Sequence, residues 1–288
     1  MVGAAGIARR LGGRRQGHRN WRCACPANCG YDVSLADAAD GKLLAYCFGG
    51  CEFSEILSAL DGMNDDVDGP DPIHDDNGSI IRRRDDAERI AGARQIYDCG
   101  DADERIGIYL RSRGITLTSP VLRFSEAAPH RLGFRRPALL APVTDANGIQ
   151  VGTHLTFLRP DASAKADLDN EFQRECRGVI RGGAIRLAPH DPERELLIAE
   201  GAESGLAAMQ IFGLPTWAAV YAANLKNTLE LPAEVRRVVI AGDNDLSGAG
   251  QQAALEAYRR WTAEGRAVRI VMPPRIGTDF NDVLLARR

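Results

Sequence analysis

The sequence lacks the features that would place the protein in a membrane or outside the cell. It contains no run of eighteen apolar residues, which argues against a membrane span. The N-terminus has arginines but no hydrophobic segment ahead of a cleavage site, so we do not expect a secretory signal. An excess of charge of one sign is also missing, because the formal net charge is -3 over 288 residues. We therefore expect a cytoplasmic protein in which local basic patches, rather than a global field, attract a polyanion.

Cysteine is frequent at one end of the chain and rare elsewhere. Five of the seven cysteines lie within the first 51 residues, and in a reducing compartment such clustering predicts metal ligands rather than disulfides. Cys25 with Cys29, and Cys47 with Cys51, have the spacing of a structural zinc ribbon. Four thiolates would complete the tetrahedral site, so zinc would stabilise a unit that has too little core to fold alone. Cys23 is an alternate to Cys25 or Cys29.

Changes in composition divide the chain into four predicted parts. They are a zinc-ribbon module with a basic N-terminal arm (1–60), an acidic flexible linker (61–80), a basic mixed α+β subdomain (81–190) and an α/β domain (191–288). The linker contains seven aspartates and almost nothing to bury. The first 22 residues, rich in glycine and arginine, are either a solvated flexible tail or an arm that binds nucleic-acid phosphates.

The middle of the chain changes from a helical to a strand-like pattern. Helices are predicted over 81–114 and strands over 122–185, where Asn147-Gly148 is a strong hairpin signal. Four basic residues near glycines predict contacts with nucleotide or template phosphates, because guanidinium groups and exposed amides both bind phosphate. These residues are Lys165, Arg177, Arg181 and Arg186. A plain basic surface is the competing interpretation.

Acidic residues follow two apolar runs in the last third of the chain. The runs 196–199 and 238–241 are short and aliphatic, as buried parallel strands are. Glu200 follows the first run, and Asp243 and Asp245 follow the second. Because ligands of open α/β sheets bind at the carboxyl ends of strands, we expect these acids to converge. Their oxygens suit magnesium or manganese held alongside substrate phosphates, whereas simple helix capping is the alternative.

A third apolar strand is predicted over 268–272, and it leads through Gly277 and Thr278 to Asp279. Helices are predicted over 204–212 and 249–263. This arrangement would place Asp279 near the same edge of the sheet as the other acids.

The acidic motifs resemble those of the Toprim domain, which bacterial-type primases, topoisomerases and some nucleases share. The matching residues are Glu200-Gly201, Asp243-x-Asp245 and Gly277-Thr278-Asp279. The cysteine ribbon is similar to the zinc module of bacterial and phage primases. The middle segment, from Tyr109-Leu110 through Gly152-Thr153-His154 to 182–187, looks like the primase segment of prophage and plasmid proteins. The resemblance implies an α/β fold, in which a Rossmann-like, mainly parallel Toprim sheet follows a primase core subdomain and a zinc ribbon. Asn28 stands where that family has a zinc-binding histidine, which leaves Cys29, or less readily His18, to complete the site.

What the resemblance implies is a DNA primase that makes short primers on single-stranded DNA from nucleoside triphosphates. Glu200, Asp243 and Asp245 would bind catalytic Mg²⁺ or Mn²⁺, Asp279 would assist, and zinc would be structural. A mobile element such as a phage or plasmid, and a separate replicative helicase as partner, are part of this expectation. Two alternatives remain open: a non-catalytic recombination mediator, which also joins a zinc site to a Toprim domain, and a Toprim nuclease.

Overall fold

The computed structural model describes residues 4–16, 20–27, 32–37, 43–61, 78–131, 133–169 and 172–287. The chain forms two compact units, Met1–Asp75 and Asp76–Arg288, which we describe separately. The predictions for His18, Asn28, Cys29 and most of the acidic linker lie outside the described residues. Among the described helices, none is both long enough and apolar enough to cross a bilayer.

The first unit is a small antiparallel sheet with a helix at either end of its sequence. Its elements are α1 (Ala4–Arg10), β1 (Arg14–Arg15), β2 (Asn20–Ala24), β3 (Asp32–Asp37), β4 (Leu43–Cys47) and α2 (Phe53–Asp61). The strands pair in the order β1-β2-β3-β4. Val33 and Leu35 of β3 alternate toward a core that Ile56 of α2 shares.

The interpretation of the first 22 residues as a flexible tail is wrong for the part that the structure describes. Ala4 and Ala8, one helical turn apart on α1, are fully buried in the core of the first unit. The backbone amide of Ala4 also donates to Asp37 Oδ1 at 2.8 Å. Ile7 and Leu11 pack against the same core, so α1 is held by apolar contacts although glycine and arginine dominate the composition. The basic-arm interpretation stays a prediction, and Arg14 and Arg15 are exposed.

The second unit begins with two helices and a four-stranded antiparallel sheet. These elements are α3 (Gly78–Asp98), α4 (Glu104–Ser112), β5 (Arg123–Pro129), β6 (Arg135–Thr144), β7 (Gln150–Phe157) and β8 (Arg174–Gly178). The strands pair in the order β5-β6-β7-β8. The predicted hairpin joins β6 to β7, where Asp145 Oδ1 accepts from the amides of Asn147 and Ile149. Gly148 has a φ of +81°, a conformation that glycine adopts at little cost.

A five-stranded sheet completes the second unit. Its elements are β9 (Ile185–Arg186), β10 (Leu196–Ala199), α5 (Ala202–Phe212), β11 (Thr216–Ala218), α6 (Ala222–Asn227), β12 (Arg237–Ala241), α7 (Ala249–Ala263), β13 (Ala267–Val271) and α8 (Phe280–Leu285). The order is β13-β12-β10-β11-β9, and only β9 is antiparallel to its neighbour. This mainly parallel sheet confirms the predicted α/β class.

The two central strands are apolar throughout because helices cover both of their faces. Leu197 and Val239 pack with Leu206 of α5, whereas Ile198 and Ile240 point to the face that Trp261 of α7 covers. A strand buried on both faces reads as a continuous hydrophobic run, which is why the sequence identified it. The short elements β9, β11 and α6 were not predicted.

Candidate active site

Four acidic residues lie where the parallel strands end. Glu200 follows β10 directly, and Asp243 and Asp245 follow β12, the neighbour of β10. Asp279 comes after β13, the next strand along, and is the N-cap of α8. The sheet therefore brings all four predicted acids to its carboxyl edge, the usual ligand-binding edge of such folds.

Burial and mutual repulsion make two of these carboxylates unusually basic. Burial, followed by the charge of Asp245, raises the pKa of Glu200 to about 7, although its carboxylate accepts a hydrogen bond from the Ala222 amide. Burial, followed by the charges of Glu200 and Asp279, raises the pKa of Asp243 to about 8. Burial likewise raises the pKa of Asp279. A bound divalent cation would offset both the cost of burying these carboxylates and the repulsion between them.

The carboxylate oxygens fit hard divalent ions bound together with phosphates. In the described part of the chain, no three acidic residues have carboxylate oxygens that all lie within 4.8 Å of one another. A tight all-protein cage is therefore not formed. Magnesium alongside substrate phosphates takes only one or two carboxylates directly and keeps several waters, so an open set of acids suits it.

Hydrogen bonds from nearby helices hold two of the acids in place. Ser204 Oγ of α5 donates to Asp243 Oδ1 at 3.3 Å, and the Gly250 amide in the first turn of α7 donates to Asp245 Oδ2 at 2.8 Å. A Cβ on Gly250 would lie 2.5 Å from the Asp243 carbonyl oxygen and 2.9 Å from Asp245 Oδ2. Only glycine lets α7 approach this loop so closely.

The capping alternative accounts for part of this group of acids, and most fully for Asp279. Asp279 forms a capping box with Asp282, whose amide donates to Asp279 Oδ1 at 2.8 Å. The N-cap positions of α5 and α7 are Gly201 and Gly248, so neither Glu200 nor Asp243 is a cap. Glu200 and Asp245, however, accept from backbone amides in the first turns of α6 and α7, those of Ala222 and Gly250. Asp243 is half-buried and accepts from the Ser204 hydroxyl, so a role at a helix terminus does not account for it.

A fifth acid, Glu203, lies one helical turn beyond Glu200 and is fully engaged by the protein. Its carboxylate accepts from Tyr109 Oη at 2.6 Å and is 2.9 Å from Lys165 Nζ and 3.5 Å from Arg113 Nε. Although burial opposes it, the Lys165 charge and the Tyr109 hydroxyl hold the pKa of Glu203 below its ordinary value. Glu203 is therefore an ionised counter-ion of Lys165 and Arg113, and it differs from Glu200 and Asp243, whose pKa values are raised.

The four predicted phosphate-binding residues have different surroundings. Lys165 is paired with Glu203, and Arg177 is 2.5 Å from the buried carboxylate of Glu175. Arg186 donates to the carbonyls of Asp145 and Ala146 and stacks on Trp217. Arg181 is exposed. Their binding roles remain predictions.

The structure adds Arg174 of β8 to the candidate site. Burial raises the pKa of Glu200, and the charge of Arg174 offsets part of that rise. Burial, and then the charge of Arg174, also lower the pKa of His154, on the neighbouring strand β7, to about 4. Arg174 was not singled out from the sequence, because its position near the acids becomes evident only once β8 is seen to pair with β7.

Three thiols of the first unit meet as the zinc-ribbon spacing predicts. The sulfurs of Cys25, Cys47 and Cys51 all lie within 4.8 Å of one another. Cys47 Sγ accepts a hydrogen bond from the Gly49 amide at 3.3 Å. Cys23 is not in this group. Its side chain also packs in the core of the first unit, where burial raises its pKa to about 11. Cys29 lies outside the described residues.

Comparison with protein families matches residues 195–288 to the Toprim domain. This part of the chain therefore resembles a Toprim domain. The segment 82–187 matches a domain of unknown function (DUF7146). No curated protein matches the chain. The Toprim resemblance predicted from the sequence is confirmed.

Several solved structures to which the chain is similar are primases, at low sequence identity. The Aquifex aeolicus primase, with zinc-binding and RNA polymerase domains, is 13% identical over 97% of this chain and 78% of that chain, with a TM-score of 0.46. A DnaG primase catalytic domain bound to single-stranded DNA is 15% identical over 72% and 78%, with a TM-score of 0.44. The primase fragment of the bacteriophage T7 primase-helicase is 15% identical over 65% and 70%, with a TM-score of 0.39.

Proposed function

We propose that this protein is a DNA primase that synthesises short primers on single-stranded DNA by metal-dependent nucleotidyl transfer. The observation that supports this most strongly is the meeting of Glu200, Asp243, Asp245 and Asp279 at the carboxyl edge of the Toprim sheet. Two of these acids have pKa values raised to about 7 and 8, as expected of groups built to face a cation. A separate replicative helicase as partner, and a phage or plasmid as the setting, are part of the proposal.

Glu200, Asp243 and Asp245 would hold Mg²⁺ or Mn²⁺, with Asp279 as an auxiliary acid. When bound, such ions stabilise the attacking and leaving oxygens of an in-line displacement at phosphorus. Ser204 and the Gly250 amide keep Asp243 and Asp245 in place for this role. Because Glu203 is neutralised by Lys165 and Arg113, it adds no further repulsion toward a triphosphate. Arg174 supplies positive charge beside Glu200, where phosphates would lie.

The first unit has the features of a template-binding zinc module. Zinc would be held by Cys25, Cys47 and Cys51, with Cys29 as the fourth ligand, and it would stabilise the fold. Three aromatic side chains lie near guanidinium groups or solvent, which suits stacking with bases and charge pairing with phosphates. Arg22 stacks on Phe48, Arg15 lies over Trp21, and Tyr46 is 61% exposed beside Phe48.

Incorporation of labelled ribonucleotides on single-stranded DNA in the presence of Mg²⁺ tests the proposal. Asp243→Asn should abolish incorporation, because it removes one of the three carboxylates proposed to bind the divalent ion. Asp191→Asn, at an exposed loop position, is the matched control and should retain full activity. Full incorporation by the Asp243→Asn protein would refute the assignment of the site.

The same preparation separates the two alternatives. Cleavage of the DNA without nucleotide incorporation, lost in Asp243→Asn, would identify a Toprim nuclease. Binding of single-stranded DNA with neither reaction, and unaffected by Asp243→Asn, would identify a non-catalytic mediator.

A further inference from the structure

Two loops at the edge of the Toprim sheet are tied together beside the acids. One loop, 242–248, contains Asp243 and Asp245, and the other, 272–279, ends at Asp279. The Gly277 amide donates to the Asn244 carbonyl at 2.6 Å, and the Asn244 amide donates to the Thr278 carbonyl at 3.1 Å. The Asn244 side chain adds a third bond, from Nδ2 to the Pro273 carbonyl at 2.9 Å. The tips of the loops are therefore held in a fixed arrangement.

Each of these loops presents a large aliphatic side chain to solvent. Leu246 is 86% exposed and Ile276 is 65% exposed, the two highest values among the large hydrophobic residues in the described ranges. The Leu246 side chain lies over Gly277, where a Cβ would be 3.4 Å from Leu246 Cγ. Gly277 also has a φ of +79°, which favours glycine on its own account. We name this pair of side chains, Leu246 and Ile276, the apolar rim.

We propose that the apolar rim contacts the nucleobase attached to the phosphate that lies at the acids. This inference rests on the proposed function. A nucleotide has a charged end and a flat, weakly polar base, and the acids with their cation would occupy only the charged end. The rim lies on the same two loops as Asp243, Asp245 and Asp279, within three residues of one of these acids in each loop. The exposed Arg275, next to Ile276, gives the rim a charge that suits a polyanion.

The rigidity of the loops supports a binding role for the rim. Aliphatic side chains at the tips of loops cost free energy while they face water, and burial against a base recovers it. Because the three inter-loop hydrogen bonds fix the backbone, little ordering would be needed on binding. An apolar contact of this kind is insensitive to base identity, so it would position a base without selecting one.

Serine substitutions at the rim, with matched substitutions elsewhere, test this proposal. Leu246→Ser and Ile276→Ser remove the rim, while Leu255→Ser on α7 and Ile149→Ser at the hairpin remove comparable exposed side chains outside it. Two quantities are measured: the Kd for a labelled single-stranded oligonucleotide in Mn²⁺, and the KM for ribonucleotides. We expect each rim variant to raise one of them about tenfold, the equivalent of about 1.4 kcal/mol and typical of an aliphatic side chain that loses part of its buried area. Both controls should leave them unchanged.

An abasic oligonucleotide distinguishes contact with bases from a general effect on phosphate binding. It retains the phosphates, so the rim variants and the unsubstituted protein should bind it equally well. A rise in Kd alone would place a base of the strand on the rim, and a rise in KM alone would place the incoming nucleotide there. Weaker binding of the abasic strand by the rim variants would overturn the proposal, as would unchanged Kd and KM.

Two further results keep the rim and the proposed function apart. If the unsubstituted protein incorporates no nucleotide, the proposed function fails, whereas the oligonucleotide Kd of the rim variants still decides the role of the rim. If Kd and KM are unchanged but sedimentation shows that Leu246→Ser dissociates a dimer, a second copy of the chain covers the rim and the proposal is wrong.

Discussion

Replacing Glu203 should lower the free energy of unfolding of the second unit. Glu203 is 14% exposed at its side chain and accepts from Tyr109, which is fully buried, while Lys165 and Arg113 pair with it. Removing one partner of a buried ion pair costs about 3–5 kcal/mol. Because Lys165 and Arg113 retain partial access to water, we expect Glu203→Ala to lie at the lower end, about 3 kcal/mol. Glu203→Gln keeps an acceptor for Tyr109 and should cost roughly 1–2 kcal/mol.

The matched control is Glu195→Gln. Glu195 also makes an ion pair, with Arg269 at 2.7 Å, but the Arg269 side chain is 49% exposed. A pair so open to water contributes at most about 1 kcal/mol. Urea unfolding followed by the fluorescence of the buried Trp217 and Trp261, in a Trp21→Phe background, reports on the second unit alone. Equal losses in Glu203→Gln and Glu195→Gln would refute the reasoning that burial makes Glu203 important.

The dependence on pH provides a second check of the same idea. The pKa of Glu203 is lowered in the folded protein, so its contribution is present above the ordinary glutamate pKa of about 4.3 and is lost as pH falls through the folded value. The difference in unfolding free energy between the unsubstituted protein and Glu203→Gln should therefore narrow below about pH 4. A constant difference down to pH 3 would contradict an ionised Glu203.

Three other outcomes follow from the geometry. Gly250→Ala should abolish incorporation because the new Cβ would lie 2.5 Å from the Asp243 carbonyl, whereas Gly92→Ala, which meets nothing within 4 Å, should leave activity intact. Cys47→Ser should lose bound zinc by atomic absorption while Cys23→Ser keeps it, and the reverse result would exchange their roles. Without divalent ions, Asp243→Asn should raise the Tm at pH 8 but not at pH 4, because the raised pKa makes the carboxylate costly as pH increases; a lower Tm at pH 8 would contradict this.

The sequence predicted the elements whose pattern is long and local. Helix α7 has the predicted bounds, and β10 and β12 were evident because both of their faces are buried. In contrast, β9 and β11 have two and three residues, too few for any periodicity to appear. Helix α1 was missed because its fully buried residues are the two small side chains Ala4 and Ala8, with Ile7 and Leu11 packing beside them.

The acids of the candidate site could be predicted from the sequence, but the residues that hydrogen-bond to them or pair with them could not. Glycine next to Glu200 and Asp243, at the ends of aliphatic runs, identified the edge of the sheet. The partners of Glu203 could not be found in this way, because Tyr109 is 94 residues distant and meets it only through tertiary packing. The same holds for Ser204, whose serine hydroxyl has no local signal that would assign it to Asp243.

Strand β9 has a consequence for how such chains can be divided and recombined. It lies before the residues that match the Toprim model, yet it pairs with β11 and brings Arg186 onto Trp217. A Toprim segment cut at residue 195 would leave β11 as a bare edge, open to pairing with other molecules. The border between the two family matches is therefore a border in sequence only. A chimera that exchanges one segment would have to keep β9 with the downstream part in order to keep the edge of β11 paired.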